Sequence, residues 1–354
     1  MAFNFYETHN LLMAVQQLYP PTTFLKDRYF PTNGASDIFS TNDVLVEYKD
    51  GSKRVAPFVA PRKGGVTIQR GSYEVQRFEP PFIAPRRVLT IDDLNKRGMG
   101  EALYTQMTPE QRQRALILKD VQELSELITR REEAMAAEVM QTNACVMKHI
   151  ADDADMYDEK YIKFFSGDSN PAQYTPSGSW SKDYGGVIAD LGAMARLLTS
   201  RGLAATDLIV GADAADAILA NTEIQRLLDL KNYEAGRIDP SVLGNGATHI
   251  ATLNAKGRLI NVICYDEEYT DGSASKPYID PKSAILTAPG AGRTLYGAVS
   301  QVEQSDGQFH TYTGKRIPKY LSNAEGNTRS LTLTSCPLLI PNNKNPFIVA
   351  KVLD

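Results

Sequence analysis

The sequence predicts an α+β protein, and three features of its 354 residues lead to that expectation. A long helical stretch lies between residues 109 and 150, a basic segment of short strands precedes it, and alternating helices and strands follow it. Hydrophobic residues make up 42% of the chain and charged residues 23%, which is an ordinary globular balance. The chain is long enough to bury a sizeable core, either as two compact domains or as one domain with large extensions.

Residues 1–43 are predicted to form an N-terminal arm. A short amphipathic segment ends at a pair of prolines, and extended chain carrying Phe24, Tyr29 and Phe30 follows it. These aromatic side chains have too few apolar neighbours in their own segment to form a core. We therefore expect them to pack on the body of the same chain or on another subunit.

Residues 44–90 are predicted to form a limb of short strands. Val44 to Tyr48 alternates as a strand, a Lys-Asp-Gly turn follows, residues 54–58 return, and a second pair lies around 66–70 and 73–78. The limb holds nine Lys or Arg and four Asp or Glu residues, a net charge of +5 in a chain of net charge −4. This contrast favours electrostatic docking between subunits; the alternative is a solvated hairpin whose charge has no role. The candidate docking cations are Arg54, Arg62, Lys63, Arg70, Arg77, Arg86 and Arg87.

The long helix is predicted over residues 109–150. Thr108 and Gln111 have the spacing of a capping box, and a proline occupies the first helical position. Apolar residues recur at spacings of three and four, and charged residues, Glu133 among them, are expected on the outer face. With no Gly or Pro after its first residue, the predicted rod is about 60 Å long at 1.5 Å per residue. A coiled-coil stalk is the alternative, although polar residues interrupt its apolar seam.

The second half of the chain predicts another α+β unit over residues 183–280 and a return of strands over 281–354. Periodic apolar residues indicate a helix that ends near Gly202, and residues 207–210 read as a buried strand. Asn221 is the expected cap of a later helix. Residues 91–182 complete the first unit around the long helix.

Motifs of catalysis and of cofactor binding are absent, so we expect neither an enzyme nor a bound cofactor. The best candidate for a metal site is His149 with Asp152 and Asp153, at i, i+3 and i+4 of the predicted helix and near two further aspartates. A solvated acidic helix end is the simpler interpretation. The turn at residues 290–293, Gly-Ala-Gly-Arg, resembles an anion-binding loop, but a loop before a strand explains it more simply.

The three cysteines lie far apart, which predicts buried thiols in a reducing compartment and not a disulfide framework. No apolar run approaches the roughly 18 residues of a membrane-spanning helix, and the first residues lack the pattern of a signal peptide. We therefore expect a protein that is made in a cytoplasm and has no membrane partner.

Several stretches occur together in one order along the chain. They are residues 65–82 (GVTIQRGSYEVQRFEPPF), Trp-Ser-Lys at 180–182, residues 286–299 with Gly-Arg-Thr-Leu-Tyr-Gly, and the segments 316–321 and 331–341. In this order, and over nearly the whole chain, they resemble the major capsid protein E family of tailed phages, to which the lambda head protein belongs. The resemblance implies the Hong Kong 97-type capsid fold. It assigns an arm to 1–43, an extended loop to 44–90, a peripheral domain with spine helix 109–150 to 91–182, an axial domain to 183–280 and a C-terminal return to 281–354.

The resemblance also implies a function as a major capsid protein. Copies of the chain are expected to form hexamers and pentamers of an icosahedral head around double-stranded DNA, assembled in the cytoplasm of a bacterial host. The implied partners are a separate scaffolding protein, a portal and, optionally, a decoration protein, with sequence-independent contact to DNA. Phe24, Tyr29 and Phe30 join the limb cations as candidate intersubunit contacts. Two alternatives are an encapsulin-like nanocompartment with the same fold and a metal-dependent enzyme.

Overall fold

A computed structural model describes residues 21–49, 73–95, 108–150, 157–228, 236–272, 274–302 and 307–354. The helices in these ranges are α1 (Phe24–Tyr29), α2 (Ile91–Asn95), α3 (Pro109–Thr142), α4 (Val187–Ser200), α5 (Ala212–Ala220) and α6 (Thr222–Leu228), with a 3-10 turn at Gly34–Asp37. The first ten strands are β1 (Val44–Lys49), β2 (Tyr73–Phe78), β3 (Arg86–Thr90), β4 (Ala144–Ile150), β5 (Tyr157–Lys163), β6 (Gln173–Tyr174), β7 (Asp207–Val210), β8 (Gly236–Gly244), β9 (Ala247–Asn254) and β10 (Leu259–Tyr265). The remaining strands are β11 (Glu268–Asp271), β12 (Ala274–Pro277), β13 (Ser283–Thr287), β14 (Gly292–Tyr296), β15 (Val299–Val302), β16 (Phe309–Tyr312), β17 (Ile317–Asn323), β18 (Thr328–Thr334), β19 (Pro337–Pro341) and β20 (Ile348–Lys351).

The spine helix α3 begins as predicted and ends earlier. The backbone N–H of Thr108 donates to Gln111 Oε1 at 3.0 Å, and Thr108 Oγ1 accepts from the Gln111 N–H, so the capping box is confirmed. Asn143 then adopts a left-handed conformation, with φ of 54°, and its N–H donates to the Val139 carbonyl oxygen. Asparagine tolerates that conformation, and it stops the helix. The predicted end at residue 150 is therefore wrong, and 34 residues make a rod of about 51 Å.

Residues 144–150 form strand β4 instead of the last two turns of the helix. They pair with β5 in antiparallel register, from Ala144 opposite Lys163 to Ile150 opposite Tyr157. In this register His149 stands opposite Asp158, so the helical constellation proposed for a metal is wrong; Asp152 and Asp153 lie outside the described residues. Within the described residues, no three His, Cys, Asp or Glu side chains come together as a metal site. No helix in the same part of the chain is long and apolar enough to cross a membrane.

A seven-stranded sheet organises the second half of the chain, in the order β6-β20-β13-β7-β10-β9-β8. The β10–β7 and β20–β6 pairs are parallel and the other pairs are antiparallel. Trp180 and the apolar side of α4 are buried against this sheet. Because β13 and β20 lie inside the sheet, the predicted border between 183–280 and 281–354 is incorrect. The strands of the C-terminal segment from β14 to β19 pair in other sheets.

Two local expectations about this half are confirmed. Gly202 follows α4 with a positive φ of 82°, as a residue that ends a helix commonly does. Asn221 caps α6, since its Oδ1 accepts from the backbone N–H of Glu223 at 3.0 Å and of Ile224 at 3.3 Å.

The spine helix packs on strands of its own chain. Strands β17, β18 and β3 form a three-stranded sheet, and Leu331 and Leu333 of β18 contact Leu124 and Ile128 of the helix. Six residues of the helix between Ala134 and Met140 lie in the largest apolar cluster of the part of the chain that the structure describes. The coiled-coil alternative is therefore excluded, because the apolar face is already covered. Since β3 is part of this sheet, residues 86–90 do not belong to the limb, which corrects the predicted limb of 44–90.

The described part of the limb is the antiparallel ladder of β1 and β2, from Val44 opposite Phe78 to Lys49 opposite Tyr73. The predicted return strand at 54–58 and the segment 66–70 lie outside the described residues. Val44 and Val46 are buried, and Phe78 packs edge-on against Phe164 of the β4–β5 hairpin with ring centroids 5.5 Å apart. The base of the limb is thus attached to the body by one apolar face.

Candidate assembly site

The N-terminal arm is attached to the body by residues 22–31, called here the anchor segment. Its central part is helix α1, where extended chain was predicted. Phe24 is 6% exposed, and Tyr29 and Phe30 are fully buried, all within the core of the same chain. Their candidate role as contacts to a neighbouring subunit is therefore corrected: these three side chains stabilise the subunit itself.

Glu133 of the spine helix caps α1. Its Oε1 accepts from the backbone N–H of Leu25 at 2.7 Å, and its Oε2 accepts from that of Lys26 at 2.9 Å. The hydroxyl of Tyr265, on β10, donates to Oε1 at 2.9 Å. Thr23, the residue before α1, makes no capping bond with its side chain, so Glu133 supplies the acceptor that the helix start requires. Burial raises the pKa of Glu133 to about 7 despite these hydrogen bonds.

Glu132, the preceding residue, forms a buried ion cluster. Lys26 Nζ of the anchor segment donates to its Oε2 at 2.6 Å, and the guanidinium of Arg316 binds both oxygens, at 2.7 and 2.9 Å. Tyr296 donates to Oε1 at 3.2 Å. Burial alone would raise the pKa of Glu132, but the hydrogen bonds and charges of Arg316 and Lys26 outweigh it. The pKa therefore lies below its ordinary value, and the carboxylate is ionised at neutral pH.

Asp207, at the start of β7, binds the other side of the anchor segment. Arg28 approaches its Oδ2 through Nη2 at 2.7 Å and through Nε at 2.8 Å, and the Tyr29 hydroxyl donates to the same oxygen at 3.0 Å. Burial and the charge of Asp207 raise the pKa of Tyr29 well above its usual range. The carboxylates of the spine helix and of the seven-stranded sheet thus bind the same ten residues.

These buried charges were missed by the sequence analysis, which placed Glu133 on the outer face of the helix. Glu132, Glu133 and Asp207 are at most 1% exposed. The sequence did contain a signal for this burial. The two glutamates directly precede the apolar run of residues 134–137. Four consecutive apolar residues occupy every side of a helix, which indicates that this part of the helix is buried all round. What covers this part of the helix, a segment about 100 residues away in the chain, could not be read from periodicity.

Phe30, near the end of the anchor segment, packs against strand β14. Its carbonyl oxygen accepts from Thr294 Oγ1 at 2.8 Å, and its ring lies 5.3 Å from that of Phe347. Gly292 lies directly beneath the ring: a Cβ at this position would overlap the Phe30 ring and lie 2.8 Å from the Ile340 carbonyl oxygen. The Gly-Ala-Gly-Arg turn therefore has a packing function here, and it leads into β14.

We expect Gly292→Ala to destabilise the subunit by about 1–3 kcal/mol, because Phe30 is held by Phe347 and cannot yield to the added methyl group. Urea denaturation of the unassembled subunit measures the effect. Gly185→Ala is the matched control, since no atom lies within 4 Å of its added Cβ. Equal midpoints for the two variants would show that Phe30 does not depend on this close approach.

The outer face of the limb base carries exposed apolar and charged side chains. Leu45 is 56% exposed and Val75 49%, on the face opposite the buried Val44 and Val46. Arg77 lies on the same outer face and forms an ion pair with Asp43. This pair is solvent exposed and therefore contributes little to stability, so Arg77 remains accessible to a neighbour.

The other predicted docking cations divide into three groups. Arg87 binds Asp120 at 3.0 Å and also Glu123, both on its own spine helix, so its proposed role between subunits is corrected. Arg86 is exposed and lines a groove of about 450 Å³ together with Lys319 and Leu321. The remaining candidates, Arg54, Arg62, Lys63 and Arg70, lie outside the described residues.

Comparison with known proteins decides the family. Residues 7–352 match the family model of phage major capsid protein E. The chain belongs to the phage major capsid protein E family. Its structure resembles that of a protein assigned as a prophage capsid protein from Escherichia coli CFT073, with a TM-score of 0.61, 17% identity and 99% coverage of both chains. No curated protein sequence matches the chain.

Two further solved structures have lower scores. A phage-related protein from Bordetella bronchiseptica RB50 gives a TM-score of 0.48 at 9% identity, with 98% of this chain and 96% of that chain covered. The SrpI encapsulin of Synechococcus elongatus PCC 7942 gives 0.46 at 9% identity, with 100% and 97% covered.

As a member of this family, the chain is a phage major capsid protein with the α+β capsid fold of Hong Kong 97 type. The matching family is that of a phage major capsid protein, which decides for a phage capsid over the encapsulin-like nanocompartment. The family gives the chain a structural role in the oligomeric shell of a virion.

Proposed function

We propose that this capsid protein forms hexamers and pentamers of an icosahedral head that encloses double-stranded DNA. The observation that carries the proposal is the limb base, which exposes Leu45 and Val75 on one face although its other face is fixed to the body. Exposed apolar side chains of this kind, repeated on every copy, are covered in a symmetric assembly. Assembly takes place in the cytoplasm of the bacterial host.

The proposed partners of the shell are a separate scaffolding protein, a portal and, optionally, a decoration protein. Contact with DNA is independent of sequence, in keeping with a chain whose net charge is −4. Between subunits, the limb cations Arg54, Arg62, Lys63, Arg70 and Arg77 dock on acidic surfaces of neighbours, together with Arg86 of strand β3. Even without Arg86 and Arg87, residues 44–85 hold seven Lys or Arg and four Asp or Glu residues, a net charge of +3.

Charge reversal at Arg70 of the limb and at Arg86 of strand β3 tests this proposal. The wild-type chain, expressed alone and with the neighbouring head genes, is expected to give capsomers or shells in negative-stain microscopy and sedimentation. In Arg70→Glu with Arg86→Glu we expect unchanged circular dichroism and failed or strongly salt-dependent assembly. A single exposed pair contributes at most about 1 kcal/mol, but the loss repeats at every copy in the shell.

The matched control is Arg196→Glu with Arg226→Glu, which makes the same change in charge at exposed positions of α4 and α6. Normal shells from Arg70→Glu with Arg86→Glu would show that these cations do not dock on neighbouring subunits. A wild-type chain that stays monomeric at every salt concentration, also with its scaffold, would overturn the proposed shell.

A further inference from the structure

The three-stranded sheet of β17, β18 and β3 carries two cations without partners on its outer face. Leu331 and Leu333 of β18 contact the spine helix, so Thr332 between them lies on the face that is turned away from the helix. Lys319 of β17 and Arg86 of β3 stand on either side of Thr332, with backbones about 10 Å apart across the sheet. Among the described residues, neither cation has a hydrogen bond or an ion pair. Their charges are therefore available to a partner.

These two cations line the groove of about 450 Å³, which also contains apolar side chains. Leu321 and Val302 are part of its lining, and Phe309, which stands opposite Val302 in the β15–β16 hairpin, is 82% exposed. Among the described residues, no Asp or Glu lines the groove. A groove with positive charge and exposed apolar surface fits an acidic peptide segment that also carries apolar side chains.

Residues 151–159, called here the acidic segment, have this composition. They contain five Asp or Glu residues and no Lys or Arg, a net charge of −5, together with Met156 and Tyr157. The segment follows strand β4 and includes the first three residues of strand β5. Its charge is complementary to that of the groove, whereas residues 44–85 of the limb, with their net charge of +3, are repelled by the two cations.

The position of β4 favours a neighbouring copy as the source of the acidic segment. The backbone N–H of Val146 donates to Glu138 Oε1 at 3.2 Å, so β4 lies beside the spine helix. The groove opens on the opposite side of the three-stranded sheet, which separates it from the helix. A segment of the same copy would have to pass around the sheet to reach the groove, whereas a segment of a neighbour approaches from outside.

We propose that the acidic segment of one subunit docks in the groove of a neighbouring subunit. The carboxylates of the segment pair with Arg86 and Lys319, and its apolar side chains cover Leu321 and Val302. The contact joins two different surfaces, so each copy receives a segment from one neighbour and gives its own to another, as in a ring. It rests on the proposed shell for the presence of that neighbour, and it specifies the acidic surface on which Arg86 docks.

Binding of a synthetic peptide to the unassembled full-length subunit tests the groove apart from the shell. The probe is a fluorescent peptide of residues 150–159 (IADDADMYDE), and its anisotropy is measured at low salt. We expect Arg86→Glu with Lys319→Glu to weaken binding by about tenfold or more, because two attractions become repulsions. Arg86→Gln with Lys319→Gln repeats the test without adding negative charge. The control is Arg196→Glu with Arg226→Glu, outside the lining of the groove, which should bind as the wild type does.

The same peptide with Asn for Asp and Gln for Glu should not bind, because it lacks the charge that the cations recognise. Circular dichroism checks that both groove variants are folded. Equal affinity of the wild type and the groove variants for the acidic peptide, or no binding by the wild type, would overturn the groove as a docking site.

An exchange of charges tests whether the partner is a second copy. Arg86→Glu with Lys319→Glu, and Asp152→Lys with Asp153→Lys, should each assemble poorly alone. An equimolar mixture should recover shells, because each reversed groove meets a reversed segment on the other variant, and so should all of these substitutions in one chain. Recovery in the single chain but not in the mixture would place the segment on its own groove and overturn the contact between copies. Normal shells from either variant alone would overturn it as well.

Two other occupants of the groove are outcomes of the peptide experiment. Glu303 and Asp306 lie in the connection between β15 and β16, outside the described residues. If the peptide binds only after Glu303→Gln with Asp306→Asn, these residues fill the groove and the proposal is wrong. A short DNA duplex that binds through Arg86 and Lys319 more tightly than the peptide does would assign the groove to nucleic acid instead.

The two experiments also separate this contact from the shell itself. A wild-type chain that binds the peptide through the groove but forms no shell would support the groove and contradict the proposed shell. Shells from the wild type together with normal shells from Arg86→Glu with Lys319→Glu would support the shell and contradict the groove contact.

Discussion

Replacing Arg316 with Met is expected to destabilise the subunit by about 3 kcal/mol, because it leaves the buried charge of Glu132 with too few partners. Arg316 binds both oxygens of Glu132, whereas Lys26 binds only one. Burial by itself raises the pKa of Glu132, and the hydrogen bonds and charge of Arg316 are a main cause that holds it below its ordinary value. Without the guanidinium, Glu132 is either a buried charge with Lys26 as its one cationic partner or has to take up a proton, and both outcomes destabilise the folded subunit. Thermal or urea unfolding of the unassembled subunit measures the loss.

Two comparisons separate this effect from a simple loss of packing. Arg131→Met breaks an exposed ion pair with Asp271, at 3.3 Å, and should cost less than about 1 kcal/mol. The double variant Arg316→Met with Glu132→Gln should be more stable than Arg316→Met alone, because the uncompensated charge is gone. If the double variant loses the sum of two independent effects, the ion cluster is not a coupled unit.

Rules that act over a few residues predicted local features of the fold correctly. The Thr108–Gln111 capping box, the helix end near Gly202 and the Asn221 cap all depend on groups within four residues of each other. The end of the spine helix did not follow from such a rule. Val146 and Ile150 fit the spacing of a helix as well as the alternation of a strand. Because Asn143 adopts a left-handed backbone conformation, the helix ends there and residues 144–150 form a strand.

The site was harder to predict than the elements because its parts come from distant positions in the chain. Glu132 and Glu133 have the polarity of a solvated helix face, and partners from distant segments, Leu25, Lys26 and Arg316, make their burial favourable. The limb border shifted for the same reason: β3 pairs with β18, which lies more than 200 residues later. Pairings of this kind depend on the tertiary fold, which hydrophobic periodicity does not encode.

The resemblance to a capsid family supplied what local rules could not, namely the order of parts and the role of the chain. It did not supply the residues that hold those parts together. The aromatic residues of the arm show this clearly: they were assigned to a neighbour or to the body, and the structure places them in the body. Assembly contacts must therefore be sought among exposed side chains such as Leu45, Val75 and Arg77.

Deletion of residues 1–31 is expected to abolish folding, and this is the largest effect that we predict. It removes the buried side chains Phe24, Leu25, Tyr29 and Phe30, each contributing about 1.5–3 kcal/mol. Their sum, about 8 kcal/mol, is comparable to the total stability of a typical protein, about 5–15 kcal/mol. Glu133 and Asp207 would in addition lose the partners that make their burial favourable.

Deletion of residues 1–20 is the matched control for this truncation. The anchor contacts described above begin at Thr22, so the shorter deletion should retain the near-UV circular dichroism and the melting temperature of the full chain. The longer deletion should give insoluble protein, or protein without near-UV signal. A folded, cooperative subunit from residues 32–354 would contradict this prediction, because it would show that the anchor segment is an accessory of the core. The anchor segment would then be free to serve assembly alone, as the sequence by itself allowed.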